Sequence, residues 1–257
     1  MTNDTGSGSA KNEKTKKYGV EVINEEEFDH MIGRRFIDAE TICVPAWVRS
    51  IEPAAFSFPD WESWKKNGYK KLKEVVLPEG VSAIGEKAFA GAENLECIRI
   101  PESVTSIGSW AFAGCEKLEE VELPAKLLCI GARAFDKCIM LKKLILPDRV
   151  ELLDTGALAG CNQLTEIKIP GSIKEIGIMA FESCNSLKNV VIAEGVSKID
   201  VHAFSHCVGL EHVYIPASVT TIIPNAFEGC ANITIHAPAG SRAEQLAKIR
   251  KLHFEEI

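Results

Sequence analysis

A period of twenty-three, the step from Pro78 to Pro101, recurs along most of this 257-residue chain and constrains the fold more than any other feature. Prolines keep the interval, with Ala193 in the one slot that lacks a proline: Pro78, Pro101, Pro124, Pro147, Pro170 and Pro216. Six cysteines keep it as well: Cys115, Cys138, Cys161, Cys184, Cys207 and Cys230. The dipeptide Ala-Phe follows the same step, with Ala157-Leu158 as its one altered copy. Such a period predicts stacked copies of one unit, because a single unit cannot bury its own apolar face.

One unit, residues 89–111, indicates how each copy folds. Ile98 and Ile100 alternate as the inward side chains of a short β-strand. Pro101 ends that strand because proline has no N–H to donate to a neighbouring strand. A second apolar pair follows, Gly108 marks a turn, and the next Ala-Phe pair opens a compact turn or short helix. The pattern predicts a right-handed solenoid whose short parallel strands pair between units about 4.8 Å apart.

The consensus of the copies is A-F-x-G-C-x-x-L-x-x-[VI]-x-[LI]-P-x-x-[VI]-x-x-I-G, and a first copy is visible from Ile42 to Phe56. This pattern resembles the leucine-rich repeats of the BspA-like family over about residues 39–257. The resemblance implies a leucine-rich-repeat solenoid over residues 34–240. It also implies protein binding rather than catalysis, because such repeats are known as adhesion and interaction surfaces.

After the last copy, the sequence resembles the closing cap of such arrays. Ala237 begins a Pro-Ala-Gly-Ser segment that leads into a predicted helix from Arg242 to Leu252 and then to a final Phe254. A cap is needed because the last unit of a solenoid has no further unit to cover it. We therefore expect residues 241–257 to form a C-terminal helical cap.

Residues 1–33 contain none of the repeat columns. A Gly/Ser loop ending at Lys11, a short strand Val20–Ile23 and a helix that begins near Glu25 resemble the second half of a BRCT domain of the bacterial DNA-ligase type. The resemblance implies a phosphate contact at Lys11, but the rest of that pocket comes from an earlier strand that the sequence lacks. A solvated lysine is the simpler interpretation. Two hypotheses follow: Met1 lies inside a longer protein, or the segment packs against the first unit.

The cysteine column argues against a disulfide framework, although nine cysteines are present. A small apolar thiol suits a tight buried turn, and Ala92 fills the same column one unit earlier. Cys43, Cys97 and Cys129 stand outside the column, and the odd total leaves at least one thiol unpaired. Persistent thiols are typical of a reducing compartment. Because the chain has no CxxC pair, the usual kind of zinc site is not expected.

The sequence predicts neither a catalytic site nor a metal site. His202 and His206 are four residues apart and precede Cys207, which is similar to metal-ligand spacing. Both histidines, however, occupy positions that vary between units, matching Lys87 and Gly91 in an earlier copy. The sequence contains no phosphate-binding loop, dinucleotide fingerprint or serine-nucleophile elbow. We therefore expect no enzyme activity, no catalytic residues, no metal and no cofactor.

The spacing breaks once, where an insertion near residues 58–69 lengthens one unit by ten residues. The insertion carries Trp61, Trp64 and Tyr69, aromatic side chains of the kind that dominate protein interfaces. Insertions in a solenoid leave the stack on one face, often the binding face. Two interpretations stay open: these residues bind a partner, or they fold back over the first unit and protect its edge.

On each predicted strand, the residue two before the proline should point outward. Towards the C-terminal units this column places Val191 one unit before Tyr214, with His212 on the same strand as Tyr214. These three residues form a candidate partner-binding patch. Ordinary exposed side chains are the alternative interpretation.

Composition and charge narrow the range of functions. With a net charge of −7, the repeats are unsuited to direct nucleic-acid binding, which depends on clustered lysine and arginine. No stretch reaches the ~18 apolar residues of a membrane-spanning helix, and residues 1–17 lack the apolar centre of a signal peptide. We expect a cytoplasmic, intracellular scaffold that binds unidentified protein partners. The alternative is a bacterial cell-surface adhesin for host or matrix proteins, whose signal peptide would precede Met1.

Overall fold

The computed structural model describes residues 40–56 and 71–257, which form a parallel β-solenoid of about 8 turns with a C-terminal helix. The predicted solenoid is confirmed. The BRCT-like segment with Lys11 lies outside the described residues, and so does the insertion with Trp61, Trp64 and Tyr69.

Each turn of the solenoid, called a rung below, contributes one strand to a front row and one to a back row. The front row contains β1 (Thr41–Cys43), β3 (Glu74–Val76), β5 (Cys97–Arg99), β7 (Glu120–Val121), β9 (Lys143–Leu144), β11 (Glu166–Ile169), β13 (Asn189–Ile192), β15 (His212–Tyr214), β17 (Thr234–Ala237) and β18 (His253–Glu256). The back row contains β2 (Ser50–Ile51), β4 (Ala83–Ile84), β6 (Ser106–Ile107), β8 (Cys129–Ile130), β10 (Leu152–Leu153), β12 (Glu175–Ile176), β14 (Lys198–Ile199) and β16 (Thr221–Ile222).

Neighbouring rungs pair in parallel, in the register that the repeat sets. Val190 pairs with Val213, for example, which is its counterpart in the next copy of the repeat. In the front row the hydrogen-bonded groups are β1-β3-β5, β7-β9 and β11-β13-β15-β17-β18. A bridge between Arg99 and Glu122 joins the first two groups, whereas among the described strands no ladder joins β9 to β11. The front row is therefore interrupted near its middle.

The apolar columns of the repeat fill the interior. In β5, Ile98 is buried between the exposed Cys97 and Arg99, and this alternation follows from the pleat of a strand. Phenylalanine rings stack from rung to rung with centroids 4.9 to 5.3 Å apart, in one run of Phe56, Phe89, Phe112 and Phe135 and a second run of Phe181, Phe204 and Phe227. Leu158 stands between the two runs and is fully buried. Stacking thus covers apolar surface that no single rung could bury.

The connections between strands are tight turns that use left-handed backbone. Gly114 has a φ of +72°, and Trp110, on the other side of the Ala-Phe pair, has a φ of +60°. Gly108, which the sequence marks as a turn, lies one residue before the turn begins. A Cβ at Gly108 would lie 2.6 Å from the backbone nitrogen of Glu86 in the preceding rung. Glycine is required there by the close approach of two rungs.

A helix and a strand close the C-terminal end. Helix α1 (Arg242–Arg250) begins at Ser241, whose Oγ accepts a hydrogen bond from the backbone N–H of Glu244. The helix ends before the predicted limit at Leu252 because Lys251 adopts a left-handed conformation. The chain then adds β18 in parallel to β17, a strand that the sequence pattern did not predict. No helix in the described part of the chain is long and apolar enough to cross a membrane.

Candidate partner-binding face

The outer surface of the front row, called the front face below, consists of two columns of side chains that point away from the core. One column contains Glu74, Cys97, Glu120, Lys143, Glu166, Asn189 and His212. The other contains Val76, Arg99, Glu122, Ile145, Lys168, Val191 and Tyr214. All are exposed or half-buried, whereas the strand residue between the two columns, such as Val190, is buried. The outward column therefore lies where the sequence predicts it.

Ile145 is the most exposed large apolar side chain of the described front face, at 67%. Two depressions flank it, of about 550 and 390 Å³, and Lys143, Ile145 and Pro147 line both. The larger depression spans the interruption between β9 and β11, and the smaller one lies over β7 and β9. The sequence placed Ile145 in the outward column without singling it out. Its position could have been recognised in the sequence, because Ile145 is an apolar residue between the charged Glu122 and Lys168 in that column.

Charged side chains surround Ile145 without pairing to one another. Glu122 and Lys168 flank it in its own column, and Glu120 and Lys143 lie side by side in the other column. Within residues 40–56 and 71–257, none of these four groups forms an ion pair within 4.0 Å. Just before the strands, by contrast, charges pair from rung to rung: Lys73 with Glu40 at 3.0 Å, Lys142 with Glu119 at 2.7 Å and Lys188 with Glu211 at 3.4 Å. The charges around Ile145 are therefore available to a partner.

The predicted patch of Val191, His212 and Tyr214 lies further along the front face. Val191 is directly opposite Tyr214, and it also lines the larger depression. Tyr214 stacks on His236 of the next rung, with ring centroids 4.3 Å apart. Val191 is 40% exposed and Tyr214 is 36% exposed, so both present apolar surface to solvent. The structure brings the three predicted residues together, on a surface continuous with the depression beside Ile145.

His236 also belongs to this patch, although the sequence pattern did not predict it. Its Nε2 lies 3.0 Å from Nδ1 of His212, and its Nδ1 lies 3.2 Å from a carboxylate oxygen of Glu255. The side chain is buried, and this burial lowers the pKa of the imidazole, while Glu255 opposes the shift. Pro238 could have identified His236 as an outward residue. His236 stands two residues before Pro238, just as Tyr214 stands two residues before Pro216.

His202 and His206 occupy the two left-handed positions that flank the Ala-Phe pair of their rung, each with a φ of +56°. Nε2 of His202 lies 3.0 Å from Nδ2 of Asn225, and its Nδ1 lies 3.3 Å from a carboxylate oxygen of Glu228. Throughout the described rungs and cap, no group of three or more His, Cys, Asp or Glu side chains could hold a metal ion.

Solved structures similar to this chain are leucine-rich repeat proteins. A leucine-rich repeat protein from Bacteroides ovatus ATCC 8483 is 26% identical with a TM-score of 0.61, over 87% of this chain and 61% of that chain. A leucine rich cell surface protein from Faecalibacterium prausnitzii A2-165 is 30% identical with a TM-score of 0.50, over 80% of this chain and 61% of that chain. The leucine-rich repeat protein of T. pallidum is 23% identical with a TM-score of 0.52 over 85% of each chain, a likeness of fold. This chain spans only 61% of the length of the first two.

Sequence comparison agrees with the structural likeness. No curated protein matches the chain significantly. The BspA type leucine-rich repeat region, present in 6 copies, matches residues 65–131 and 115–234, which together make up more than half of the chain. The match covers the columns that set the parallel register and the ring stacks, and the chain therefore belongs to the BspA-type leucine-rich repeat family.

Proposed function

We propose that this chain is a protein-interaction module that binds a partner through the front face, centred on Ile145. The observation that carries the proposal is the 67% exposure of Ile145 between two depressions. Burying an aliphatic side chain of this size contributes about 1.5–3 kcal/mol, and the depressions give partner side chains a place to pack. The unpaired charges around Ile145 would set the orientation of the partner.

The proposal assigns no catalytic step to the front face. The BspA-type family and the solenoid fold are typically non-enzymatic. A general base needs a ring nitrogen free to take a proton from a substrate. His236 is buried, and its two ring nitrogens contact His212 and Glu255. His236 is therefore given a structural role in the proposal, as the residue on which Tyr214 stacks.

We further propose that the module acts inside the cell, as a cytoplasmic scaffold. All nine cysteines are free, and the six of the repeat column donate hydrogen bonds as thiols. Free thiols in this number support a reducing compartment. The second candidate is a cell-surface adhesin, which the 30% identity to a cell surface protein of F. prausnitzii favours. A membrane-impermeant maleimide distinguishes the two, because in intact cells it labels the exposed Cys97 only if the chain lies outside.

Photo-crosslinking from the front face tests the binding proposal. A benzoylphenylalanine placed at position 145, in the organism that produces the chain, should crosslink a protein partner. Position 152 is the matched control, because Leu152 is also apolar and 45% exposed but lies in the back row, away from both depressions. Equal crosslinking from the two positions, or none from position 145, would contradict the proposal.

The aromatic insertion is a separate candidate for partner contact. Trp61, Trp64 and Tyr69 lie outside the described residues, and both interpretations of them stay open. If the insertion binds, Trp64→Ala should weaken partner capture without lowering the melting temperature. A large fall in melting temperature would instead identify the insertion as a cap of the first rung.

A further inference from the structure

We propose that the partner segment on the front face carries a lysine or arginine next to an apolar residue, and that the basic group lies over Glu120 and Glu122 while the apolar side chain packs on Ile145. The inference rests on the proposed function and specifies the chemistry of its partner. It follows from the unequal charges of the two depressions.

The smaller depression is acidic. Glu102, Glu120 and Glu122 line it, and Lys143 is the cation among its described lining residues, so three carboxylates and one ammonium group leave a formal charge of −2. Glu102 already accepts a hydrogen bond from the backbone N–H of Ala125, at 3.1 Å. The carboxylates of Glu120 and Glu122 have neither a hydrogen bond nor an ion pair among the described residues. They are therefore the groups that a basic partner side chain would meet.

The larger depression is balanced. Lys143 and Lys168 line it together with Asp148 and Glu166, so its formal charges sum to zero. The net charge of the smaller depression therefore attracts a basic side chain, whereas that of the larger depression does not. This difference gives the bound segment a direction along the solenoid, with its basic group towards β7 and away from β11.

The apolar part of the partner is fixed by the position of Ile145. Glu122 and Ile145 occupy consecutive rungs of one outward column, and parallel strands lie about 4.8 Å apart. Leu123, partly buried against the core, also lines the smaller depression and extends its apolar floor. Successive residues of an extended segment advance about 3.3 Å, so a lysine or arginine one or two positions from the apolar residue can reach the carboxylates.

Arg99 and the net charge of the chain bear on the choice of partner. Arg99 pairs by its backbone with Glu122 from the preceding rung, but it neither lines the smaller depression nor forms an ion pair with the carboxylate of Glu122.

A second copy of this chain is disfavoured as the partner, because two molecules of net charge −7 repel each other. A basic and apolar segment of another protein is the occupant that the charges favour.

A displayed library of short random peptides tests the inference on the full chain. Peptides are selected on the wild-type protein and depleted on Ile145→Asn, which removes the apolar side chain without changing the charge, so that those retained depend on Ile145. We expect the retained peptides to be enriched in lysine or arginine within two positions of an aliphatic or aromatic residue. Binding of a synthetic retained peptide, measured by fluorescence anisotropy, should weaken as salt screens the exposed charges.

Charge reversal provides the matched pair of variants. Glu122→Lys should weaken binding of the retained peptide about tenfold, because an attraction becomes a repulsion at the contact. Glu151→Lys makes the same change in net charge at an exposed carboxylate beside the back row, and it should alter binding by less than about twofold. Circular dichroism of both variants checks that the solenoid remains folded.

The possible results separate this inference from the proposed function. Retained peptides without basic residues, or equal effects of Glu122→Lys and Glu151→Lys, would overturn the inference and leave binding at Ile145 in place. A library that yields no peptide preferring the wild type over Ile145→Asn would count against both.

Discussion

The Sγ atom of Cys161 lies 3.3 Å from the carbonyl oxygen of Phe135, which accepts the thiol hydrogen. The same oxygen accepts the backbone N–H of Cys138 within its own rung. Every cysteine of the column makes the equivalent contact, at 3.0 to 3.3 Å, with the residue 26 positions earlier. A buried carbonyl has two lone pairs, and the thiol supplies a donor for the second. The column cysteine is therefore a link between rungs as well as a small apolar side chain.

Thiol labelling should separate the column from the remaining cysteines. Burial raises the pKa of Cys115, Cys138 and Cys161, so these thiols lack both access and thiolate character. We expect a maleimide to modify the exposed Cys97 first in the native protein. The three buried thiols should react at least about a thousandfold more slowly, because they require unfolding. Mass spectrometry of labelled peptides over time measures this, and rapid native labelling of Cys138 would show that the column opens locally.

The buried hydroxyl of Ser205 should destabilise the protein. Ser205 is fully buried, and its hydroxyl has no hydrogen-bond partner among the described residues. Alanine stands at the equivalent position in three other rungs: Ala90, Ala113 and Ala159. We expect Ser205→Ala to raise the free energy of unfolding by about 1 kcal/mol, because it removes an unsatisfied polar group. Urea unfolding followed by circular dichroism measures the change.

Ser172→Ala is the control for this measurement. The Oγ of Ser172 donates to the carbonyl oxygen of Val150 at 2.6 Å, so its removal should lower the free energy of unfolding by about 1 kcal/mol. Equal losses from the two variants would mean that the hydroxyl of Ser205 has a hydrogen-bond partner in solution.

The rungs could be predicted from the sequence because period and burial are directly linked. Every residue of an apolar column meets its own copy in the next unit, so Phe89 must lie near Phe112 once the units stack. The backbone conformation of the turns was harder to predict from the sequence. Trp110, Lys137 and His202 have positive φ values although they are not glycine, and no residue type marks those positions. Their conformation is imposed by the rungs on either side.

The candidate site was only partly predictable, because the repeat shows which side chains point outward but not where the surface forms depressions. The columns predict which side chains point outward, and they placed Val191 and Tyr214 correctly on one surface. The larger depression beside Ile145 spans the interruption of the ladder between β9 and β11, although the proline spacing of the repeat is unchanged there. His236 escaped prediction because the last interval, from Pro216 to Pro238, is one residue shorter than the regular step. Such a change hides the column from a search at fixed spacing.

The gap in the ring stack offers a test of how closely the rungs resemble one another. Leu158 is fully buried between the rungs of Phe135 and Phe181. Leu158→Phe adds two ring contacts but also adds volume to a packed core, and these effects oppose each other. We expect the free energy of unfolding to change by less than about 1.5 kcal/mol. Phe112→Ala, by comparison, should cost about 3–5 kcal/mol because Phe112 is fully buried and stacked on both sides.

Chemical denaturation of both variants measures these effects. A loss above about 3 kcal/mol from Leu158→Phe would mean that this rung is narrower than those that carry phenylalanine.

The buried imidazole of His236 should make stability depend on pH. Burial lowers its pKa in the folded protein from an ordinary value of 6.5, with the neighbouring His212 and His253 adding to the shift and Glu255 opposing it. The unfolded chain therefore binds a proton at a higher pH than the folded protein does. The contribution of His236 to the free energy of unfolding should be constant above pH 6.5 and fall as the pH drops from 6.5 to the folded pKa. The slope from this group is at most about 1.4 kcal/mol per pH unit.

Urea unfolding at a series of pH values tests this dependence, and the slope rather than the absolute stability is the diagnostic quantity. His236→Leu should flatten the slope below pH 6.5 even if it changes the stability itself, because the group that binds the proton is gone. His206→Asn is the matched control, because it removes an exposed histidine at a left-handed position that asparagine tolerates, and the slope of His236→Leu is compared with the slope of this variant. An unchanged slope in His236→Leu would assign the pH dependence to other groups. Because His236 stacks on Tyr214, a flattened slope would place this proton-binding group at the C-terminal end of the front face, several rungs from Ile145.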